Sequence, residues 1–163
     1  MLNMIEKAAK IRCLILDVDG VLTDGKLYFN EQGEVAKAFS VQDGLGIKLL
    51  QQVGITVAII SGRNSPIVQR RAEELAITHI YQGQENKLPA LELLLIKLCL
   101  THEQCAFVGD DLPDLPIIQC VGLGIAVANA VAVVKQHALW QTQRSGGEGA
   151  VREVCDFLIE AQK

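Results

Sequence analysis

The run Cys13-Leu14-Ile15-Leu16 and the acids that follow it constrain this chain most. Four apolar residues in a row, with no polar residue alternating among them, read as a short strand buried on both faces, as in a parallel sheet covered by helices. The run ends in Asp17-Val18-Asp19-Gly20. Two carboxylates spaced i, i+2 at the carboxyl end of such a strand are costly to desolvate without a counter-charge. A divalent cation is the usual counter-charge. Asp17 and Asp19 are therefore the first candidate functional residues.

Strand and helix patterns alternate along the rest of the chain. Ile55–Ile60, Ile80-Tyr81, Cys105–Val108 and Leu123–Val127 read as further buried strands. Between them, helical spacing runs through Ile47 and Leu50, through Val68, Ala72 and Leu75, through Leu91, Leu94 and Leu98, and through Leu115 and Ile118. Residues 1–10, 130–136 and the stretch from Val151 to Leu158 are also predicted helical. Asp43 is the expected N-cap of the helix after the first strand, and Gly54 its stop. Ser65-Pro66 offers an N-cap and first-turn pair for the next one. The exception to the alternation is Lys26–Phe29 and Val35–Phe39 around Asn30-Glu31-Gln32-Gly33, which predicts a β-hairpin over residues 25–39.

This pattern predicts one α/β domain over residues 1–163, a doubly wound parallel sheet with right-handed crossovers. Ligands in such folds bind beyond the carboxyl ends of the strands. Those ends carry Asp17 and Asp19, Ser61, Lys87 nearby, and Asp110 with Asp111.

Several other classes are excluded. The net charge of -4 and the lack of a basic stripe argue against nucleic acid as a partner. No apolar run approaches the ~18 residues that a membrane span requires. Residues 1–10 are charged and amphipathic, so no secretory signal is expected. The five cysteines form no CxxC pair, and His79, His102 and His137 have no ligand spacing to them, which argues against zinc. Reduced, mostly buried cysteines in a cytoplasmic protein are expected.

The remaining acids and polar groups suit phosphoryl transfer. Asp17 can be a metal ligand or a nucleophile. Asp19 can act as general acid and base, and Asp110 brings a further carboxylate from another strand. All-oxygen ligation of this kind suits Mg²⁺. Ser61 offers a hydroxyl, and Lys87 a point charge, to a phosphate. Positioning and charge stabilisation carry most of the catalysis in such sites.

At this point a resemblance enters. Asp17-x-Asp19-Gly20-Val21-Leu22-Thr23, Ser61-Gly62-Arg63, Lys87 and Gly109-Asp110-Asp111-x-x-Asp114 resemble the four ordered motifs of the haloacid dehalogenase superfamily, across nearly the whole chain. The resemblance implies a Rossmann-like fold with Asp17 as nucleophile forming an aspartyl-phosphate. It implies Asp19 as general acid and base with its backbone carbonyl on Mg²⁺, and Asp17 and Asp110 as side-chain metal ligands. Ser61 and Lys87 would bind phosphate, and Asp111 and Asp114 would orient the metal site.

A closer resemblance is carried by Asp17 through Gly25, Phe39-Ser40-Val41-Gln42-Asp43-Gly44-x-Gly46, Ile60 through Arg63, Tyr81-Gln82-Gly83 and Gly149 through Glu153. These are similar to the 3-deoxy-D-manno-octulosonate 8-phosphate (Kdo 8-phosphate) phosphatase family, which releases Kdo and phosphate on the way to lipopolysaccharide. The resemblance implies substrate contacts from Asp19, Ser40, Val41, Gln42, Asp43, Gly44, Lys48, Arg63, Arg71 and Lys87. An aspartate often precedes this lysine in the family, and Asn86 departs from that pattern.

The spacing between motifs leaves no room for a cap domain. Between Asp19 and Ser61 only the hairpin and one helix fit, and between Lys87 and Asp110 one helix and one strand. A bare site is wet and unselective, so a neighbouring subunit is expected to supply walls, with the hairpin as flap. The family is tetrameric, which fits a homo-oligomer. Two rival readings share the motifs or the fold: a phosphatase of a nine-carbon sialic-type sugar phosphate, and a non-catalytic oligomerisation module. A receiver-type signalling domain would lack the Ser61 and Asp110 motifs. The glycine-rich Ser145–Gly149 either leads into the last helix or lets Arg152 reach an active site.

Overall fold

The computed structural model describes residues 2–163. Helix α1 (Leu2–Lys10) leads into β1 (Cys13–Leu16), and a hairpin of β2 (Tyr28–Asn30) and β3 (Gly33–Ala36) follows. Then come α2 (Val41–Gln52), β4 (Thr56–Ile60), α3 (Pro66–Glu74), β5 (His79–Tyr81) and α4 (Leu88–Leu98). The chain finishes with β6 (Cys105–Gly109), α5 (Leu115–Cys120), β7 (Leu123–Ala126), α6 (Ala132–His137), β8 (Trp140–Gln141) and α7 (Ala150–Glu160).

Six strands form one sheet in the order β5-β4-β1-β6-β7-β8, and every pairing is parallel. Leu14 on β1 sits between Val57 on β4 and Ala106 on β6. All four residues of β1 have no exposed surface, as a strand covered by helices on both faces requires. The chain winds outward from β1 through β4 to β5, then returns to the other side of β1 for β6, β7 and β8. The winding direction therefore reverses between β1 and β6, and a crevice opens beyond their carboxyl ends. Asp17 and Asp110 follow those two strands directly.

The doubly wound sheet agrees with the sequence reading, and the differences are local. The hairpin arms are shorter than expected, with a register shift between Tyr28 and Phe29. Strand β8 was not expected, because two residues at a sheet edge leave no periodic signal. Ser40, not Asp43, is the N-cap of α2: its hydroxyl accepts the Asp43 amide at 3.4 Å. Asp43 lies in the first turn instead, buried, where its Oδ1 accepts the Arg152 amide at 2.8 Å and ties α2 to α7. Ser65 occupies the cap position of α3, but its hydroxyl makes no capping bond.

Among the described residues, no helix is long and apolar enough to cross a membrane. Cys13, Cys105 and Cys155 are buried, Cys99 and Cys120 are exposed, and all five are free thiols.

Candidate active site

The loop after β1 is knotted by its own hydrogen bonds. The Val18 carbonyl accepts the amides of Val21, Leu22 and Thr23 at 2.9–3.1 Å. The buried Thr23 hydroxyl accepts those of Gly20 and Gly25 at 3.3 and 3.2 Å. Gly20 has φ +90, and a Cβ there would run into the Asp110 carboxylate. Only glycine lets the β1 and β6 ends approach so closely.

Asp17 and Lys87 form the centre of the crevice. Lys87 Nζ donates to Asp17 Oδ1 and to Asp114 Oδ1, each at 2.6 Å, and its side chain is 3% exposed. Lys87 occupies the N-cap position of α4, which has no side-chain capping bond, and Asn86 Oδ1 before it accepts the Leu88 amide at 3.3 Å. Lys87 is held by its two acids. The other oxygen of Asp114 accepts the amides of Asp110 and Asp111 at 2.9 and 3.2 Å. Asp114 therefore orients the β6 loop and steadies Lys87, and neither of its oxygens is free. Asp111 caps the short turn that follows, its Oδ1 accepting the Leu112 amide at 2.8 Å.

Burial, reinforced by the charge of Asp114, pushes the Asp17 carboxyl up to about 7. Burial and the negative charges of Asp17, Asp114 and Asp111 push Asp110 to about 8. Carboxylates that crowd and repel one another in this way are the signature of a site built for a cation. Carboxylate oxygens of Asp17, Asp110 and Asp114 all lie within 4.8 Å of one another. Because both oxygens of Asp114 are engaged, Asp17 and Asp110 are the pair that can face a metal. An all-oxygen donor set fits a hard divalent ion such as Mg²⁺.

Asp19 stands at the rim, on the flap side. Its Oδ1 accepts Lys37 Nζ at 2.5 Å, and its Oδ2 lies 3.9 Å from Arg63 Nε. The carboxylate is thus engaged at the rim, apart from the Asp17, Asp110 and Asp114 cluster. Lys37 also lies 2.6 Å from Glu34 Oε1 and is itself buried, its side chain only 1% exposed. Sequence reasoning missed Lys37 and Glu34. The hairpin that carries them folds back over its own chain's crevice, and the Arg63 guanidinium lies 5.9 Å from the Phe29 ring centre.

Asp17, Asp19, Ser61, Arg63, Lys87, Asp110, Asp111 and Asp114 share one cleft of about 310 Å³. Other residues expected at the substrate lie elsewhere in the same chain. Val41, Gly44, Lys48 and Arg71 line a separate depression of about 270 Å³. Gln42 faces a third hollow of about 380 Å³ with Arg144 and Arg152. That hollow is larger than the cleft, but Glu153 and Asp156 balance its arginines and none of the acid, hydroxyl and lysine motifs lines it. Ser40 is used as a helix cap. Asp43 does not line this chain's cleft either: its carboxylate is buried, with Oδ1 on the Arg152 amide of α7.

The glycine-rich segment is docked on its own chain. The Gly147 amide reaches the Val21 carbonyl at 3.0 Å. Asn129 bridges Gly146 and Gly20 through bonds of 2.7 and 3.2 Å. Arg152 pairs with Asp156 at 2.8 Å, away from this chain's cleft. Asn129 was not expected from the sequence, since an isolated Asn in a loop carries no local signal.

Comparison with known proteins gives a consistent result. Residues 77–154 match the model of the haloacid dehalogenase-like hydrolases. The chain is 52% identical over 160 residues to the 3-deoxy-D-manno-octulosonate 8-phosphate phosphatase of Escherichia coli strain K12, covering 98% of this chain and 85% of that one. The crystal structure of the Yersinia pestis enzyme of the same name superposes with a TM-score of 0.96 at 50% identity, covering 98% of this chain and 86% of that one. The Moraxella catarrhalis enzyme, in complex with magnesium ion, phosphate ion and Kdo, gives a TM-score of 0.96 at 48% identity, covering 99% of this chain and 93% of that one. With identity at this level over almost its full length, and with the four acid, hydroxyl and lysine motifs brought to one cleft, the chain belongs to the 3-deoxy-D-manno-octulosonate 8-phosphate phosphatase family of haloacid dehalogenase-like hydrolases.

Proposed function

We propose that this chain is a Mg²⁺-dependent phosphatase that hydrolyses 3-deoxy-D-manno-octulosonate 8-phosphate to Kdo and phosphate through an aspartyl-phosphate on Asp17. The observation that carries this reading is the buried Asp17 carboxylate at the end of β1, 2.6 Å from Lys87 and clustered with Asp110. Relatives about half identical to this chain bear that enzyme's name, and one was solved with magnesium, phosphate and Kdo.

The chemistry follows from the residues in the cleft. An Asp17 oxygen attacks phosphorus while the bond to the sugar oxygen breaks, and Asp19 gives that oxygen its proton. Asp19 then takes a proton from water, the water oxygen attacks phosphorus, and the Asp17–phosphorus bond breaks to restore the carboxylate. Lys87 and the Ser61 hydroxyl meet the charge of the transferring group. A bound Mg²⁺ would neutralise phosphate oxygens between Asp17 and Asp110. Asp114 holds Lys87 and the β6 loop in place through the bonds described above.

The walls of the site come from assembly. Tyr28, Phe29 and Val35 on the hairpin and Val41 and Leu45 on α2 are exposed, which supports a contact with a second copy. In a homotetramer, the Val41, Gly44, Lys48 and Arg71 depression of one copy would border the cleft of another and meet the sugar carboxylate. Five free thiols and an acidic surface fit a cytoplasmic enzyme. The test is phosphate release with Mg²⁺ over a panel of sugar-acid phosphates. Fastest turnover on the eight-carbon ester is expected. Preference for a nine-carbon ester would reassign the substrate, and no turnover on any would reject the enzyme reading.

A further inference from the structure

The hairpin meets the rim of its own chain's cleft where Lys37 contacts Asp19. Lys37 Nζ lies 2.5 Å from Asp19 Oδ1 and 2.6 Å from Glu34 Oε1, with its side chain 1% exposed. A lysine side chain enclosed between two acids is held in one place. The cost of that burial is offset only if both acids stay put. The contact also divides the two oxygens of Asp19. Oδ1 is taken by Lys37, while Oδ2 lies toward Arg63 at 3.9 Å, on the cleft lining.

We propose that Lys37, steadied by Glu34, is a positioning residue that fixes the Asp19 carboxylate so that Oδ2 alone transfers the proton. This rests on the reading of Asp19 as general acid and base. The hairpin is then more than a wall. It carries the group that aims the proton donor, so the donor is aligned only when the flap lies over its own cleft. Arg63 faces the same oxygen loosely, at a distance too long for a hydrogen bond, so it leaves Oδ2 available.

The test uses leaving groups of different need. A sugar or simple alkyl phosphate requires protonation of its departing oxygen, whereas p-nitrophenyl phosphate does not. Lys37→Met and Asp19→Asn are assayed with Mg²⁺ on an alkyl ester and on the aryl ester, with kcat and KM measured separately. General acid catalysis contributes typically about 10²–10⁴-fold, so Lys37→Met is expected to lower kcat on the alkyl ester by about tenfold or more. KM should change little, and the aryl ester should lose much less. Glu34→Gln, which leaves Lys37 in place, should show the same split at smaller size, and Lys37→Arg should recover part of the alkyl activity. Combining Lys37→Met with Asp19→Asn should cost no more than Asp19→Asn alone. Equal losses on both esters in Lys37→Met and Glu34→Gln, or additive losses in the double variant, would overturn the proposal. If Asp19→Asn itself shows no split between esters, the acid and base reading fails instead. If Asp19→Asn shows the split and the Lys37 variants do not, only the positioning role falls.

Discussion

Replacing Lys87 by methionine isolates the electrostatic logic of the cleft. Methionine keeps much of the length and the apolar stem and removes the ammonium, which lies 5.8 Å from the centre of the Phe107 ring. The loss includes two bonds of 2.6 Å, one to Asp17 and one to Asp114, made by a side chain 3% exposed. Hydrogen bonds to charged groups contribute about 1.5–3 kcal/mol each, and removing one partner of a buried ion pair costs about 3–5 kcal/mol. One effect limits the loss. The Asp17 carboxyl already lies at about 7 with Lys87 present, and without the lysine it rises further and keeps its proton near neutral pH. The net destabilisation expected is therefore toward the lower end, about 3 kcal/mol. The assay is urea unfolding in chelator near neutral pH. With an m-value of about 1–3 kcal/mol per molar for a small protein, the midpoint should fall by at least about 1 M. The gap to wild type should narrow toward acid, where protonated Asp17 no longer needs a counter-charge. A loss below about 1 kcal/mol, the size of a surface pair, would refute the reasoning, as would a gap that widens toward acid.

Other expectations follow from the same geometry. In chelator, the wild-type protein should lose stability as pH rises. The Asp17 and Asp110 carboxyls lie at about 7 and about 8 in the fold against 3.8 when unfolded, so the folded state holds more protons between those values. Their contribution is complete below 3.8 and vanishes as pH passes 7 to 8, with a slope of up to about 1.4 kcal/mol per pH unit per proton. Saturating Mg²⁺ should flatten that slope, and urea midpoints across pH with and without the ion measure it. Asp43→Ala should cost about 1–3 kcal/mol by removing the partner of the half-buried Arg152 amide, while leaving kcat on a small phosphate ester unchanged. Val41→Asp, at an exposed position on α2, should dissociate the proposed homo-oligomer in sedimentation and lower kcat/KM on the sugar acid far more than on p-nitrophenyl phosphate.

How much of this was legible in the sequence differs from residue to residue. The sheet was, because β1, β4, β6 and β7 are short apolar runs with no alternation, each ending at a turn or an acid. The meeting of Asp17 with Asp110 follows from the sheet itself, since β1 and β6 are hydrogen-bonded neighbours at the reversal of strand order. Lys87 could be placed there only through the order of the motifs, because a lysine before a helix is by default a surface residue. Ser40 and Asp43 were confused for a physical reason: both are good capping residues, three positions apart, and the hydroxyl and the amide of that pair bond each other. Lys37 and Glu34 left no readable signal. The Lys37 contact with Asp19, and Glu34 behind it, depend on how the hairpin swings back after Gly25, a tertiary angle that no local pattern encodes. The residues of α2 and α3 expected at the substrate lie off the cleft of a single chain, so no pattern local to them could place them at it.

Covalent phosphorylation of Asp17 during turnover can be read by quenching the enzyme in acid during steady hydrolysis with Mg²⁺ and mapping the phosphoryl group by peptide mass spectrometry. A phosphoryl adduct on Asp17 is expected, absent in Asp17→Asn, which should remain folded and inactive. Turnover retained in Asp17→Asn, or an adduct on another carboxylate, would contradict the account.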